Sequence, residues 1–233
     1  ILIAKAKEIP KKIERVEKKE KQLEQEVKDL MLSLPNMMDK GVPKGRDERD
    51  NKEIRKWGKK PKITNPLSHE ELGEKLDILD LKIAAKLTGS GFYVFKKELA
   101  ILTRALINFF LGFHGEKGRT EIWSPILANR ETAIGTAHLP KFDEDMYKTK
   151  EGLYLIPTAE MTLTNLHKKQ ILKEEELPKK YCAYTPCFRT EAGQHGSETP
   201  GIYRIHQFDK VEMVTICNPE DNEKEFKLML ADA

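Results

Sequence analysis

Residues 185–212 decide the fold, with the sequence TPCFRTEAGQHGSETPGIYRIHQFDKVE. Two runs of alternating polar and apolar residues flank a glycine-rich loop from Ala192 to Gly201, a pattern typical of a β-hairpin. Because side chains alternate between the two faces of a strand, Arg189 and Glu191 share a face of the first strand. One face of the second strand carries Arg204, His206, Phe208, Lys210 and Glu212. Charged residues therefore stand where a strand usually has apolar ones.

This polar face has two interpretations. An amphipathic sheet with one wet side accounts for most alternating strands. A nucleotide site is the other, because arginine suits forked recognition of phosphate and the aromatic ring of Phe208 offers a stacking surface for a planar base. The common phosphate loops, G-x-x-x-x-G-K-[ST] and G-x-G-x-x-G, do not occur in the sequence. The residues alone leave both interpretations open.

A second polar pair lies in the segment LIPTAE, residues 155–160. Thr158 and Glu160 are two residues apart and face together if the preceding strand extends that far. A carboxylate beside a hydroxyl suits an ammonium group or a small hydroxylated ligand. The alternative is a strand that runs into a helix, with Thr158 as its N-cap.

The composition indicates a globular protein. Charged residues make up 34% of the 233 residues and the hydrophobic set 39%. No run approaches the roughly 18 apolar residues that a membrane span needs, and the N-terminus lacks the pattern of a signal peptide. The formal net charge of +3 permits nucleic-acid binding without indicating it.

The cysteines favour a reduced, cytoplasmic protein. Cys182, Cys187 and Cys217 are an odd number and form no C-x-x-C pair. Cys182 and Cys187 with His195 and His206 could be drawn as a zinc site, but the spacing fits no common zinc pattern. Small buried thiols are the favoured interpretation, and no metal ligands are expected within this chain.

Residues 5–34 carry one long helical pattern with a narrow apolar seam. The seam consists of Ile9, Ile13, Val16, Leu23, Val27, Leu30 and Leu34. Two apolar positions in seven, among lysine, glutamate and glutamine, indicate a coiled coil. No second stretch of the chain repeats the pattern, so the partner helix is expected on another molecule or on a segment that this chain lacks.

Helices and short strands follow a linker rich in Pro, Gly, Asp and Lys between Leu34 and Pro66. Ser68, with Glu71 three residues later, predicts a capped helix that runs to about Leu87. FYVF (92–95) predicts a strand, and Lys96–Phe113 predicts an apolar helix.

The rest of the chain alternates in the same way. TEIWSPIL (120–127) predicts a strand interrupted at Pro125. GLYLIPTAE (152–160) predicts a strand and then a helix from about Glu160, and residues 219–233 begin a last helix. With the hairpin, these elements predict an α+β fold with a largely antiparallel sheet.

Several of these segments resemble the class II aminoacyl-tRNA synthetases, and the seryl-tRNA synthetases among them. FRTEAG and GIYRIHQFDKVE are similar to motif 2, and PTAE is similar to the serine-binding T-x-E. ALINFFLGFH and TEIWSPILANRE resemble the helix and strand of motif 1, with Pro125 at the dimer-interface proline. DERDNKEIRKWG, GTAHLPKF, LYLIPTAE and AYTPCFR also match. The resemblance covers residues 5–233.

The resemblance implies a domain order. Residues 1–34 would be half of a coiled-coil tRNA-binding arm, 35–66 a linker, and 67–233 a class II catalytic core with motifs 1 and 2. Motif 3 and the first arm helix are not found, so the chain is expected to be a fragment, inactive alone. The loop GQHGSETPG is poor in basic residues, which weakens the expectation of acceptor-stem contacts.

It also implies roles for single residues. Arg189 would hold the α-phosphate of ATP and Arg204 the terminal phosphates, as the two catalytic residues. Glu191 would bind the adenine amino group and Phe208 would stack on the base. The serine-binding set would be Thr158, Glu160, Arg189 and Glu212. Which acid binds the ammonium and which the hydroxyl stays open.

The implied activity is that of a serine–tRNA ligase, which uses ATP and Mg²⁺ to form seryl-adenylate and passes the seryl group to the 3′ end of tRNA(Ser). L-serine, tRNA(Ser) and a second copy of the chain are the expected partners. One alternative is a synthetase-like homologue without aminoacylation, either a carrier-protein ligase or an inactive regulatory protein. Another is a binding module whose working part is the coiled-coil helix.

Overall fold

The computed structural model describes residues 2–191 and 201–233, with side chains from residue 8 onward. The chain divides into two compact units, Ile1–Thr64 and Asn65–Ala233. The first unit is a single long helix, α1 (Leu2–Ser33), followed by extended chain with one short 3-10 turn at Glu48–Asp50. The helix confirms the helical pattern of the N-terminal residues.

The apolar seam of α1 is exposed. Its seven side chains have exposed fractions between 49% and 68%. An apolar stripe of this kind gains stability only when a second surface covers it. The partner helix of this seam stays a prediction.

The second unit contains the other helices and all the strands of the described residues. The helices are α2 (His69–Lys75), α3 (Leu81–Thr88), α4 (Lys97–Glu116), α5 (Arg130–Gly135), α6 (Glu160–Leu163) and α7 (Asn222–Asp232). The strands are β1 (Leu79–Asp80), β2 (Val94–Phe95), β3 (Thr120–Glu121), β4 (Leu127–Ala128), β5 (Tyr154–Leu155), β6 (Lys179–Phe188) and β7 (Gln207–Ile216). Single 3-10 turns lie at Thr164–His167, Glu174–Glu176 and Pro219–Asp221.

The long hairpin of β6 and β7 is the centre of this unit. The two strands pair antiparallel over ten residues, from Lys179 opposite Ile216 to Phe188 opposite Gln207. β3 joins the outer edge of β6 in parallel, while β1–β2 and β4–β5 are separate antiparallel pairs. Helix α4 packs against β6 and β7. The predicted α+β fold with a largely antiparallel sheet is confirmed.

Two apolar clusters hold the unit together. The first joins α5, β4, β5 and α6 through Ala128, Ala133, Leu139, Met146, Tyr154, Ile156 and Met161. The second, Ala159, Leu163 and Ala183, lies between α6 and β6 and is packed by Ile122, Tyr181 and Val214. Burial in both clusters ties the segment around Ile156 to the hairpin.

The single helix predicted from Ser68 to Leu87 is two helices. The capping box at Ser68 forms, with its hydroxyl accepting from the Glu71 amide at 3.1 Å. The chain leaves the helix at Asp77, which has φ of 53°. Asp80 then caps α3 by accepting from the amide of Ile83 at 2.8 Å. A second carboxylate cap inside the predicted helix was the signal for this break.

The strands around the polar residues are shorter than the alternation predicts. Strand β6 ends at Phe188 and β7 begins at Gln207. Arg189, Glu191 and Arg204 therefore lie just beyond the strand ends, and Glu191 turns the chain away with φ of 52°. Most of the loop predicted from Ala192 to Gly201 lies outside the described residues.

The proline in TEIWSPIL separates two strands, as the sequence predicts. β3 precedes Pro125 and β4 follows it, and the two belong to different sheets. Across the described parts of the chain, none of the helices is both long enough and apolar enough to cross a membrane.

Candidate functional site

The backbone beyond the strand ends is held in place by hydrogen bonds. The Phe188 amide donates to the carbonyl of Ile156 at 2.9 Å, and the Arg189 amide donates to the carbonyl of His206 at 3.0 Å. In return, Nδ1 of His206 lies 3.0 Å from the carbonyl oxygen of Arg189. Arg189 is thus fixed by the hairpin although it lies outside the ladder.

His206 is itself fixed by the turn after α3. Its amide donates to the carbonyl of Gly91 at 2.8 Å, and its ring packs 5.1 Å from the ring of Phe92. Gly91 has φ of +78°, and a Cβ there would lie only 2.5 Å from Cδ2 of His206. Only glycine fits this conformation and this approach.

A cavity of about 460 Å³ opens beside these residues, a size within the range of small-ligand sites. Its lining residues are His138, Phe142, Asp145, Met146, Pro157, Arg189, Glu191 and Arg204. Three of the sequence-predicted site residues, Arg189, Glu191 and Arg204, therefore meet at one cavity. Nη1 of Arg204 lies 3.5 Å from Oε2 of Glu191, so these two side chains form an ion pair in the free protein.

Phe208 extends the polar face along β7. The guanidinium carbon of Arg189 lies 5.0 Å from the centroid of the Phe208 ring, within the range of a cation–π contact. Phe208 pairs with Cys187 in the strand register. A guanidinium group and an aromatic ring are thus neighbours at the mouth of the hairpin.

Two residues further along β7, a closed triangle of polar contacts forms. The hydroxyl of Thr158 donates to Oε2 of Glu212 at 2.7 Å. Nζ of Lys210 donates to the Thr158 hydroxyl at 2.6 Å and lies 2.7 Å from Oε2 of Glu212. Thr158 is only 4% exposed. The structure therefore brings Thr158 and Glu212 together, although 54 residues separate them.

Glu160 does not join this triangle through its side chain. It is the first residue of α6 and is exposed, while its amide donates to the Thr158 hydroxyl at 3.2 Å. Strand β5 ends at Leu155, so the expectation that Thr158 and Glu160 face together on a strand is wrong. Thr158 is not the N-cap either, because Ala159 occupies that position.

Two site residues were not assigned from the sequence. Lys210 stands on the same strand face as Phe208 and Glu212, and that alternation was the available signal. His138 lines the cavity from the turn after α5, and its Nδ1 lies 2.9 Å from the Thr136 hydroxyl. No periodicity marks a turn residue of this kind.

Burial and charge make His138 hard to protonate. Desolvation lowers the pKa of its imidazole, and the positive charges of Arg189 and Lys210 lower it further. Glu160 and the backbone at Thr136 act in the opposite direction. His138 therefore lies close enough to Arg189, Lys210 and Glu160 for their charges to act on its imidazole.

The reverse face of β7 anchors the strand. The hydroxyls of Tyr184 and Tyr93 donate to the carboxylate of Asp209 at 2.7 Å and 3.4 Å. Burial and this carboxylate raise the pKa of Tyr184 to about 12, so the hydroxyl remains a donor at neutral pH. Asp209 lies between Phe208 and Lys210 on β7. Its hydrogen bonds on the reverse face therefore help to orient Phe208 and Lys210 on the opposite face.

No metal centre is evident where the chain is described. Residues 2–191 and 201–233 contain no group of three His, Cys, Asp or Glu side chains arranged for a metal ion. Cys182 and Cys187 are buried in β6, and burial raises the pKa of both thiols. His195, the third member of the zinc alternative, lies outside the described residues.

Comparison with known proteins gives the family. Residues 141–233 match the model of the tRNA synthetase class II core domain (G, H, P, S and T). A serine–tRNA ligase of Sulfurihydrogenibium sp. is 54% identical over 215 residues, which is 91% of this chain and 52% of that protein.

Solved structures agree. Seryl-tRNA synthetase from Pyrococcus horikoshii, complexed with ATP, superposes with a TM-score of 0.90 at 36% identity. The superposition covers 99% of this chain and 56% of that protein. Cytoplasmic serine–tRNA ligase from Naegleria fowleri, in complex with AMP, gives a TM-score of 0.84 at 33% identity, over 94% and 53%.

The chain spans about half the length of the curated relatives it matches. Within that half, the likeness to the solved structures extends over nearly the whole of this chain. Over the length that it shares with them, the chain belongs to the seryl-tRNA synthetase family within class II of the tRNA synthetases.

Proposed function

We propose that the full protein activates L-serine with ATP and transfers the seryl group to the 3′ end of tRNA(Ser) in the cytoplasm. The observation that carries the proposal is the polar face of β7. There Phe208, next to Arg189, and Glu212, bonded to Thr158, stand four residues apart on one strand face, and Arg189 also lines the cavity. One end supplies a cation and an aromatic ring, and the other supplies a carboxylate with a buried hydroxyl.

The nucleotide end is assigned to ATP. Arg189 takes the α-phosphate, Phe208 stacks on adenine, and Glu191 accepts from the adenine amino group. Arg204 takes the terminal phosphates. Because Arg204 and Glu191 pair with each other at 3.5 Å in the free protein, ATP must separate them to use both. The ion pair is half-exposed, so opening it costs little.

The amino-acid end is assigned to serine. In the serine-binding set, Glu160 and Glu212 provide carboxylates for the ammonium and hydroxyl of the substrate, Thr158 holds Glu212 by a hydrogen bond, and Arg189 lies near the substrate carboxylate. A pocket that hydrogen-bonds a substrate hydroxyl rejects the analogue without it, because buried partners are then left unpaired. Alanine would leave part of this pocket unsatisfied.

The chemistry follows from position and charge. A carboxylate oxygen of serine attacks the α-phosphorus, the new P–O bond forms, and the bond to the departing pyrophosphate breaks in line with it. Arg189 stabilises the charge that develops on the α-phosphate oxygens, and no general base is required. Mg²⁺ is proposed as the companion of ATP. The described residues offer it no cluster of three ligating side chains, so no step is assigned to it.

Serine-dependent exchange of pyrophosphate into ATP tests the first half of the reaction. The full protein should exchange with L-serine and should exchange far more slowly with L-alanine. Exchange with another amino acid and none with serine would overturn the assignment. Serine exchange without charging of tRNA would instead favour a carrier-protein ligase, and no exchange at all would favour an inactive homologue.

We further propose that α1 is one helix of an antiparallel coiled coil that binds tRNA. Its exposed seam supports a helical partner. Its lysines and its one arginine offer phosphate contacts, although the acids between them nearly balance the charge. Phosphate contacts release counterions, so affinity for tRNA should fall steeply between about 50 and 200 mM salt.

Deletion of α1 from the full protein separates the two interpretations of this helix. Transfer to tRNA should be lost while serine activation persists. If both half-reactions survive the deletion, the helix is a solvated scaffold held by ordinary i,i+4 pairs.

A homodimer is proposed through α4 and the segment around Pro125. Helix α4 keeps an apolar surface on the outside, with Phe109 63% exposed beside Ile101, Leu102, Leu106 and Phe110. Pro125 is exposed, as are the neighbouring Trp123 and Ile126. A continuous apolar patch on one chain favours a partner surface over burial within the subunit.

Sedimentation of the full protein tests the dimer. A dimer at micromolar concentration is expected, and Phe109→Glu should shift it toward monomer because a charge in an apolar interface is costly. Lys82→Glu, an exposed change in α3, is the matched control. A monomeric wild-type protein would contradict the proposal.

A further inference from the structure

We propose that Lys210 is a specificity-determining residue of the serine pocket, which positions Thr158 and Glu212 and neutralises the carboxylate that faces the substrate hydroxyl. This inference rests on the proposed function, and none of the roles assigned above uses Lys210. The observation behind it is the closed triangle of contacts, with all three edges between 2.6 and 2.7 Å.

The hydroxyl of Thr158 has no capacity left for a ligand. A threonine hydroxyl offers one proton and two lone pairs. The hydroxyl donates its proton to Glu212 at 2.7 Å. Its two lone pairs accept hydrogen bonds from Nζ of Lys210 at 2.6 Å and from the amide of Glu160 at 3.2 Å. Thr158 therefore links Lys210 and Glu212 through hydrogen bonds. Its hydroxyl can bind serine directly only if Lys210 moves away.

The two oxygens of the Glu212 carboxylate have different roles in this proposal. Within the described residues, both of its recorded contacts end on Oε2, which leaves Oε1 for an incoming donor. The side chains of Lys210 and Glu212 are 30% and 23% exposed, so the pair is open to an incoming ligand. An acceptor whose charge is already balanced suits a neutral hydroxyl better than it suits a second cation.

The strand fixes the direction of the Lys210 side chain. It pairs with Thr185 across the hairpin, and Thr185 is 1% exposed. The side chain must therefore leave the sheet on the face of Phe208 and Glu212. On the reverse face, Asp209 accepts hydrogen bonds from the hydroxyls of Tyr184 and Tyr93, which helps to fix β7 next to Lys210.

A rival interpretation is that Lys210 merely fills the place of the substrate ammonium in the free protein. It would then leave when serine binds, and removing its charge would strengthen binding. The two interpretations predict opposite changes in KM.

The experiment compares Lys210→Met and Lys210→Arg with the wild-type full protein in pyrophosphate exchange. Methionine keeps the stem and removes the charge. It should raise the KM for L-serine about tenfold or more with a smaller change in kcat, because a charge-assisted hydrogen bond in the pocket is lost. The preference for serine over alanine in kcat/KM should fall about tenfold. Arginine should restore part of both.

The matched control is Lys227→Met, which removes an equally close pair with Glu223, 2.6 Å apart on the surface of α7. Its KM and its preference should equal those of the wild type. Circular dichroism establishes that the variants are folded, and Lys210→Gln carries the same expectation if Lys210→Met does not fold.

The outcomes are distinct. Unchanged KM and preference in the folded variants would overturn the positioning role, and a lower KM would establish the rival. A wild-type protein that does not exchange with serine would instead refute the proposed function. A rise in KM for ATP alone would also overturn the inference, since Lys210 would then serve the nucleotide.

Discussion

Replacement of Gly91 by alanine should destabilise the second unit, because the added Cβ strains the backbone and clashes with the ring of His206. Gly91 has φ of +78°, a region that costs an L-residue about 1–2 kcal/mol. The new Cβ would also lie 2.5 Å from Cδ2 and 2.8 Å from Nε2 of His206. The ring must move, and its hydrogen bond with the carbonyl of Arg189 is then lost.

The backbone strain and the lost hydrogen bond together give the expected loss in the free energy of unfolding. A lost intramolecular hydrogen bond is worth about 0.5–1.5 kcal/mol, so the total is about 1.5–3.5 kcal/mol. Gly118→Ala is the matched control, because Gly118 has φ of +80° and nothing lies within 4 Å of its added Cβ. The control carries the backbone strain and the same change in the unfolded chain, so the difference of about 1 kcal/mol isolates the clash.

Urea unfolding of the chain, followed by far-UV circular dichroism, gives the free energy of unfolding for each variant. His206→Ala provides a double-mutant cycle, since without the imidazole Gly91→Ala should cost no more than Gly118→Ala. If the two glycine variants cost the same, or if His206→Ala leaves the cost of Gly91→Ala unchanged, the contact has no energetic weight and the reasoning is refuted.

Arg189→Ala should reduce serine-dependent pyrophosphate exchange by about two to three orders of magnitude, since one transition-state donor is worth about 2.7–4 kcal/mol; a loss below tenfold would remove Arg189 from that role. Burial lowers the pKa of His114 and of His138, so the unfolded chain takes up protons that the folded chain resists as pH falls through the ordinary histidine value. Stability is therefore expected to be unaffected by these groups above about pH 7 and to fall between about pH 7 and 5.5. His114→Gln should flatten that slope, and a slope identical to the wild type in urea titrations would contradict the assignment. Of the three cysteines only Cys217 is not buried, so a thiol reagent should label one thiol rapidly in the native chain and all three after denaturation; rapid labelling of more than one would contradict the burial.

The local elements were predictable because their causes are local. Alternation fixes which side chains share a strand face, so Phe208, Lys210 and Glu212 could be grouped from the sequence. The capping box at Ser68 is satisfied within four residues. The apolar seam of α1 follows from its period, and the break at Pro125 follows from the missing amide.

Strand ends and turns were less predictable. Arg189 and Arg204 alternate like strand residues, but the chain leaves the ladder where Glu191 takes a left-handed conformation. Alternation cannot show where pairing stops, because the partner of each amide is chosen in three dimensions. The helix break at Asp77 differs, because its cause is local: Asp80 caps the following helix three residues later, and the prediction from the sequence missed that signal.

By itself, the sequence determined the class of fold and the residue types that the polar hairpin carries, because periodicity and residue type are written along the chain. Only the tertiary structure decided which groups meet. It brought Thr158 to Glu212 across 54 residues, placed Lys210 between them, and set His138 from a turn into the cavity. Those contacts depend on how buried clusters seat α6 and β5 against the hairpin, and that packing is a property of the whole chain rather than of any short stretch.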